Sequence, residues 1–182
     1  MGWRLGVLAG RTAVFTIGHS ATPISEFIGV LRDAKVEAQV DVRTVPRSRR
    51  DPWFSPGPLR TSLLVSGIEY AGMQGLGGLR RPDPNPTNFV WRNTSFRGFA
   101  DCMPTTEFAK SLGDLARRAR EPATDVMCGE AVPWRCHRSH IADAVEARDF
   151  DVLHIFGEAP PRRHSITSPA EISGTSVTYP SP

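Results

Sequence analysis

Short apolar runs alternate with amphipathic stretches along most of the chain. The runs that predict β-strands occupy 13–18, 36–42, 68–73, 124–127 and 152–156. Apolar residues at helical spacing occupy 22–31, 58–66, 105–121 and 141–148. A glycine, Gly67, is predicted to end the second of these helices. Strands that alternate with helices predict an α/β fold, a single compact domain with a mostly parallel, Rossmann-like sheet flanked by helices.

Three parts of unequal size are predicted along the chain. Residues 1–12 form an N-terminal extension, and residues 13–158 form the α/β domain. Within that domain, the proline- and asparagine-rich stretch from Arg81 to Thr94 is predicted to be an irregular linker. Residues 159–182 are rich in Pro, Ser and Thr and have few large apolar side chains, so we expect a largely disordered tail.

The composition of the chain excludes some classes of protein. Its formal charge of +3 is a mild excess that suits an anionic ligand without requiring nucleic acid. No apolar run approaches the roughly 18 residues of a membrane span, and the apolar part of the first ten residues is short for an export signal. Three irregularly spaced cysteines suit a reducing compartment better than a disulfide framework. We therefore expect a cytoplasmic protein with no membrane partner.

Reactive side chains are concentrated where the fourth strand gives way to a helix, in the segment MCGEAVPWRCHRSHIA from Met127 to Ala142. In open parallel sheets, ligands bind outside the carboxyl ends of the strands, where helix N-termini attract anions. Cys136 lies near such an N-terminus and beside two arginines, which can lower a thiol pKa from about 8.5 to roughly 3.5–7.5. A thiolate nucleophile at Cys136 is therefore predicted.

The other residues of this segment have a functional and a structural interpretation each. Glu130 is predicted to be a general acid or base, although it could also cap the helix or pair with Arg138. Cys128 follows a strand and could be a small core residue, since free cysteine is among the most buried residue types. Trp134 could cover the core or form a stacking wall for a planar ligand. His137 is predicted to supply a second nucleophile or proton shuttle.

Cysteine spacing limits the metal and phosphatase hypotheses. Structural zinc sites use cysteine pairs separated by about two to four residues, whereas seven residues separate Cys128 from Cys136. A structural zinc finger is therefore not expected. The spacing of Cys128 and Arg135 weakens, but leaves open, a phosphatase-type loop in which a cysteine and an arginine enclose one phosphate.

A second basic group follows the second predicted strand. Its arginines are opposed by Asp51 alone, have Trp53 and Phe54 beside them, and are Arg43, Arg47, Arg49, Arg50 and Arg60. Such a loop could be only a solvated surface, but arginine also binds phosphate and carboxylate through two parallel hydrogen bonds. In a parallel sheet, His19, Arg43 and Glu130 follow strands that end at one edge, so we expect them to line a single crevice.

Several blocks of the chain resemble one protein family. The segment CGEAVPWRCHRS from Cys128 to Ser139 is similar to the signature of the domain-of-unknown-function 488 family. The family's other blocks are matched by TIGHS at 16–20, VDVRTVPRSRR at 40–50, GIEY at 67–70 and LGGLR at 76–80. The blocks follow the family's order, and together they are specific. The chain departs from the family in the 81–94 linker and at Asp101-Cys102, where the family commonly has an aromatic-rich helix, and these departures leave substrate specificity open.

The resemblance implies a compact α/β domain, bacterial or archaeal in most members, without an assigned reaction. It marks as matching positions His19, Asp41, Arg43, Pro46, Arg50, Gly77, Arg80, Cys128, Glu130, Cys136, His137 and Arg138. We predict that the catalytic residues are Glu130, Cys136 and His137. We predict that the substrate-binding residues are His19, Asp41, Arg43, Arg50, Arg80, Cys128, Trp134 and Arg138.

Three functions remain open at this stage. The leading hypothesis is an enzyme, a transferase or hydrolase, that acts on a phosphate-bearing substrate related to nucleotides or nucleic acids and needs no cofactor. Arg43, Arg50 and Arg138 would hold its anion. The first alternative is a non-enzymatic nucleotide or nucleic-acid binding module that stacks bases on Trp53 or Phe54. The second is a mononuclear metal site at Cys128, Cys136 and one or more of His19, His137 and His140.

Overall fold

The computed structural model describes residues 11–48, 50–86 and 88–180. Its main sheet has the strand order β3-β2-β4-β1-β5-β6. These strands are β1 (Ala13–Gly18), β2 (Ala38–Asp41), β3 (Glu69–Gly72), β4 (Thr124–Cys128), β5 (Asp151–Phe156) and β6 (Ala159–Arg163). All neighbouring pairs are parallel except β5 and β6, which are antiparallel. The predicted α/β fold with a mostly parallel sheet is confirmed.

Helices cover both faces of this sheet. They are α1 (Ile24–Asp33), α2 (Pro56–Val65), α3 (Thr94–Cys102), α4 (Thr106–Arg118) and α5 (Arg138–Glu146). The side chains of α1 and α2 share a core with Phe15 and Ile17 of β1, whereas those of α3, α4 and α5 share a core with Val14 and with Val126 of β4. The alternation along each strand thus builds two cores, because successive residues point to opposite faces. Among the described residues, no helix is both long and apolar enough to cross a membrane.

The predicted elements are found with small shifts of their ends, and Gly67 ends α2 with a φ of +75°. Helix α3 was not anticipated, because the chain before it was interpreted as an irregular linker and the stretch 95–104 was assigned no element. Its start has a clear capping signal, since the Asn93 side chain accepts hydrogen bonds from the backbone N–H groups of Ser95 and Phe96. The helix then buries Phe99 against the main core.

The expectation of a disordered tail is wrong for residues 159–180. Strand β6 pairs with β5, and β7 (Glu171–Ser173) and β8 (Ser176–Thr178) form a small hairpin. The segment buries Val177 and Tyr179 in the main core, and Tyr179 donates hydrogen bonds from its hydroxyl to Asp143 and from its backbone N–H to Asn88. Composition underestimated its order because a few buried hydrogen bonds replace a large apolar surface. The predicted N-terminal extension lies outside the described residues up to residue 10.

The register of the central strands brings three strand ends together. Gly18 at the end of β1 pairs with Cys128 at the end of β4, and Asp41 at the end of β2 pairs with Met127. There is no room for a side chain at position 18, at the end of β1. A Cβ on Gly18 would lie 1.8 Å from the carbonyl oxygen of Glu130, in the loop after β4. Residues that follow β1, β2 and β4 therefore meet at one edge of the sheet, where α/β proteins bind ligands.

Candidate active site

A pocket of about 350 Å³ opens at this edge of the sheet, with Cys128 and Cys136 among its walls. We call it the cysteine pocket. Cys128 is the last residue of β4, and Cys136 lies in extended backbone between a 3-10 turn (Pro133–Arg135) and α5. The remaining lining residues are Arg43, Thr44, Val45, Gly78, Leu79, Ser95, Phe96, Gly129, Glu130, Arg135 and His137. Two thiols, an imidazole and a carboxylate thus share one pocket with apolar walls.

The Cys136 side chain contacts His137, and the His137 ring in turn contacts the backbone carbonyl of Val42. The Cys136 Sγ lies 3.6 Å from His137 Nδ1, and His137 Nε2 lies 3.3 Å from the Val42 carbonyl oxygen. A carbonyl only accepts, so the Nε2 nitrogen carries a proton and Nδ1 faces the sulfur. A nucleophile, a base and a group that orients the base are the usual parts of a covalent catalytic site.

The two thiols differ in acidity because they are hydrogen-bonded to each other. The hydrogen bond from Cys128 lowers the pKa of Cys136 well below its ordinary value, against the effect of burial, and His137 and Arg138 act in the same direction. The same hydrogen bond, together with burial, raises the pKa of Cys128. These opposite directions favour the thiolate form at Cys136 and the thiol form at Cys128.

A glycine-rich loop packs directly against the imidazole. A Cβ on Gly78 would lie 2.4 Å from His137 Nδ1, so only glycine lets the loop pass the ring. Arg80 holds this loop: its Nη2 and Nε donate to the carbonyl oxygens of Gly75 and Gly77 over 2.6 and 3.0 Å. Arg80 is absent from the lining of the cysteine pocket, so its visible role is to position the loop.

Arg43 is bound by the protein rather than free for a ligand. Its guanidinium donates to both carboxylate oxygens of Asp41, to the Phe54 carbonyl oxygen and to His19 Nε2, over 2.6 to 3.2 Å. Tyr70 donates to the same carboxylate. Burial and the charge of Arg43 lower the pKa of His19, which favours the neutral ring that accepts from Arg43. Four of the five guanidinium donors are thus used within the protein.

Arg138 is also held inside the fold. It is 1% exposed, and its Nη2 donates to the carbonyl oxygens of Glu130 and Ala131 over 2.5 and 3.2 Å. Its Nη1 donates to Thr16 Oγ1 over 3.4 Å. These bonds fix the loop that follows β4, and with it the position of Glu130.

Charged groups that face solvent lie at the rim. Glu130 is exposed and accepts a hydrogen bond from the Ala131 backbone N–H. Arg135 is exposed and makes no side-chain hydrogen bond or ion pair with any other residue that the structure describes. Arg50 lines an adjoining polar pocket of about 400 Å³ that shares Gly129 and Glu130 with the cysteine pocket. The linings of the two pockets thus include the carboxylates of Glu130 and Asp51 and the exposed guanidinium groups of Arg135 and Arg50.

A family model described as "Domain of unknown function DUF488" matches residues 23–145, about two thirds of the chain. The protein belongs to the DUF488 family. No curated protein and no solved structure matches it significantly. The DUF488 match includes β2, β4 and the whole segment from Cys128 to Arg138, whereas β1 with His19 and the strands β5 to β8 lie outside it.

The structure separates the residues that the DUF488 resemblance grouped as one site. It brings together His19, Asp41, Arg43, Cys128, Glu130, Cys136, His137 and Arg138 at one sheet edge. Arg50 lies in the adjoining polar pocket, and Trp134 faces a different cavity. The convergence of Arg43, Arg50 and Arg138 on one anion stays a prediction: Arg43 lines the cysteine pocket, Arg50 lines the adjoining polar pocket, and Arg138 lines neither.

The proposed aromatic nucleic-acid surface is reduced to one ring. Phe54 is fully buried and stacks on the His19 ring at 4.1 Å, so it cannot stack on a base. Trp53 remains exposed. Of the arginines, Arg47 is exposed, Arg60 lies over the Tyr70 ring, and Arg49 lies outside the described residues.

Three residues meet the geometric condition for a metal centre. Ligand atoms of Cys128, Cys136 and His137 lie within 4.8 Å of one another. The other two histidines considered for such a site point elsewhere: His19 is bound to Arg43, and His140 is buried among the rings of Trp91, Phe99 and Tyr179.

Some wall residues could not be identified from the sequence. Thr44, Leu79 and Phe96 line the pocket but come from a loop, the glycine-rich turn and the unpredicted helix α3. Arg135 is absent from the predicted substrate-binding residues, although its place beside Cys136 in the reactive segment is a usable signal.

Proposed function

We propose that this protein is a cysteine-dependent transferase or hydrolase that acts on a phosphate-bearing substrate, with Cys136 as its nucleophile. The observation that carries the proposal is the Cys136–His137–Val42 arrangement at the wall of a pocket. The lowered pKa of Cys136 supports it independently, because a thiolate is the reactive form of cysteine.

The groups present are sufficient for a balanced reaction. Cys136 first gives its thiol proton to His137 Nδ1, so that both ring nitrogens are protonated. The Cys136 thiolate attacks phosphorus, and the bond from phosphorus to the leaving oxygen breaks while that oxygen takes the Nδ1 proton. Water or an acceptor hydroxyl then attacks the phosphorus of the covalent intermediate and returns a proton to His137 Nδ1, directly or by way of Glu130. The sulfur–phosphorus bond breaks, and the thiolate is restored.

In this proposal, exposed arginines at the rim of the pockets bind the negative charge of the substrate. Arg135 and Arg50 are the exposed cations nearest the two pockets, and arginine suits phosphate because its donors are paired and planar. Arg43 and Arg138 act indirectly, since they fix His19 and the Glu130 loop. Both are positioning residues.

Selective alkylation tests the nucleophile without knowledge of the natural substrate. Iodoacetamide at about pH 6.5 should modify Cys136 much faster than Cys102, an internal control whose pKa burial raises to about 11. Peptide mass spectrometry measures both rates. Wild type should also release p-nitrophenol from p-nitrophenyl phosphate, and Cys136→Ser should not. Equal alkylation of the two cysteines, or full turnover by Cys136→Ser, would contradict the proposal.

A metal enzyme is the second candidate, because Cys128, Cys136 and His137 offer three ligands in one place. Catalytic zinc commonly has three protein ligands and keeps an open position for water or substrate, and two cysteines with one histidine is a known set. Elemental analysis of gently purified protein distinguishes the candidates. One zinc per chain, with Cys136 alkylated only after chelation, favours the metal; metal-free protein with fast alkylation favours the free thiolate.

A further inference from the structure

A cavity of about 390 Å³ lies on the far side of the 3-10 turn from the cysteine pocket. The turn separates the two spaces: Pro133 and Trp134 line this cavity, whereas Arg135 lines the cysteine pocket. The two pockets share no lining residue. Its volume is within the range of about 300–1,000 Å³ typical of small-molecule sites.

Aromatic rings form one wall of this cavity. Trp134 is 65% exposed, and its ring centroid lies 5.9 Å from that of Phe156. Arg162 lies over the Phe156 ring, with its Cζ 5.6 Å from the ring centroid. An exposed indole beside a second ring and a guanidinium offers a planar surface for stacking.

The charge of the cavity has one sign. Its lining includes Arg162, Arg163 and four hydroxyl side chains, and no carboxylate. Arg163 is paired with Asp151 over 2.7 Å, whereas Arg162 has no carboxylate partner in the described part of the chain. A free guanidinium beside hydroxyl groups suits a phosphate, which accepts several hydrogen bonds at once.

The floor of the cavity is preformed. It contains the rings of His154 and His164, each 7% exposed and hydrogen-bonded to each other over 2.9 Å. His164 is in turn fixed by Asp143 over 2.7 Å. Because these side chains are already held in place, a ligand meets a rigid floor and does not have to order it.

We propose that this cavity binds a nucleoside monophosphate, with the base stacked on Trp134 and the phosphate bound by Arg162. The aromatic wall accounts for the planar part of such a ligand, and the uncompensated guanidinium with its neighbouring hydroxyls accounts for the anionic part. The site is separate from the cysteine pocket and does not depend on the proposed reaction.

Calorimetric titration of the full chain with AMP tests this site. AMP should bind, and adenosine and ribose 5-phosphate should each bind more weakly because each lacks one recognised part. Trp134→Leu and Arg162→Met should each weaken AMP binding by at least about fivefold, the lower range for loss of a base–aromatic stack. Phe89→Leu is the control, since Phe89 is also an exposed aromatic residue, at 59%, and lines neither cavity. Its affinity should equal that of wild type.

Three outcomes would overturn the proposal. The first is the absence of AMP binding by wild type. The second is an equal affinity in wild type, Trp134→Leu and Arg162→Met. The third is a loss of affinity in Arg135→Met but not in Arg162→Met, which would locate AMP in the cysteine pocket.

Discussion

The cysteine pocket and the buried hydrogen-bond network at the floor of the second cavity use similar side chains in opposite ways. In the network, Thr16, His154, His164 and Asp143 are hydrogen-bonded in series, over 2.7, 2.9 and 2.7 Å. Its last member, Asp143, also accepts from the Tyr179 hydroxyl and from the Thr167 backbone N–H. In the cysteine pocket, the Val42 carbonyl, the His137 ring and the Cys136 sulfur are also in series, but here the last group lines the pocket.

The buried network admits one assignment of protons when its histidines are neutral. The Asp143 carboxylate only accepts, so His164 donates from Nε2 and accepts at Nδ1 from His154 Nε2. His154 then accepts at Nδ1 from the Thr16 hydroxyl. Burial lowers the pKa of His154 to about 3, which keeps it neutral. Although burial opposes it, hydrogen bonds from His164, Tyr179 and Thr167 lower the pKa of Asp143.

The difference between the two regions teaches which titratable clusters are suited to chemistry. A set in which each polar group has its partner stabilises the fold and has no capacity left for a substrate. A set that ends at a pocket, with a charged form stabilised in advance, can act on a ligand. Arg138 joins the two regions, because it donates to Thr16 on one side and to the Glu130 carbonyl on the other.

The largest effect is expected from Asp143→Ala, which removes the acceptor of three buried donors. We expect a loss of at least roughly 3 kcal/mol in the free energy of unfolding, because each buried donor left without an acceptor costs about 1–3 kcal/mol. Cys136→Ser should cost less, because Cys136 borders the cysteine pocket, where the serine hydroxyl can reach water. Urea unfolding measures both.

Asp33→Ala is the control for that experiment. Asp33 is an exposed aspartate at the end of α1 that makes no ion pair with the other residues that the structure describes, and it should contribute less than about 1 kcal/mol. If Asp143→Ala were no more destabilising than Asp33→Ala, the buried network would not be a stabilising unit, and the contrast with the cysteine pocket would fail.

An intermediate effect is expected from Cys128→Ala. The variant removes the hydrogen bond that stabilises the Cys136 thiolate, so the pKa of Cys136 should rise. A hydrogen bond to a charged group contributes roughly 1.5–3 kcal/mol, which corresponds to at least about one pH unit at 1.36 kcal/mol per unit. The midpoint of the pH profile of iodoacetamide alkylation should move upward accordingly. An unchanged midpoint, or an equal shift in the control Cys102→Ala, would show that Cys128 does not set the acidity of Cys136.

The sequence predicted the parts of the site that depend on topology. Alternating strands and helices located the edge at which His19, Arg43 and Glu130 meet, since the carboxyl ends of parallel strands share one side. Proximity to a helix start and to arginines predicted an acidic Cys136, and the structure adds Cys128 as the main cause. The role of Cys128 was not visible, because the spacing of two cysteines does not show that they meet across a turn.

Partner choice over long sequence distances could not be predicted. Arg43 and Arg138 resemble ligand-binding arginines in the sequence, but their partners include the carbonyl oxygens of Phe54 and Glu130, whose positions only the fold determines. Tyr179 contacts Asp143 from 36 residues away, and no local pattern in a proline- and serine-rich segment indicates that contact. Composition describes averages, whereas a single buried hydrogen bond depends on three-dimensional position.

The smallest effect is expected at the rim, from Arg135→Met. Arg135 is exposed, so its attraction for an anion is screened and should change rates by about two- to fivefold, equivalent to less than about 1 kcal/mol. Alkylation of Cys136 by the anion iodoacetate should slow relative to alkylation by neutral iodoacetamide, and added salt should reduce the difference. Arg32→Met, which removes an exposed arginine from the last turn of α1, should leave the ratio of the two rates unchanged.

Because both reagents attack the same thiolate, a change in the pKa of Cys136 alters both rates equally. The ratio therefore reports only the attraction of the pocket for a negative charge. If Arg135→Met and Arg32→Met gave the same ratio as wild type, the open side of the pocket would carry no preference for anions, and the proposed phosphate-bearing substrate would lose its support there.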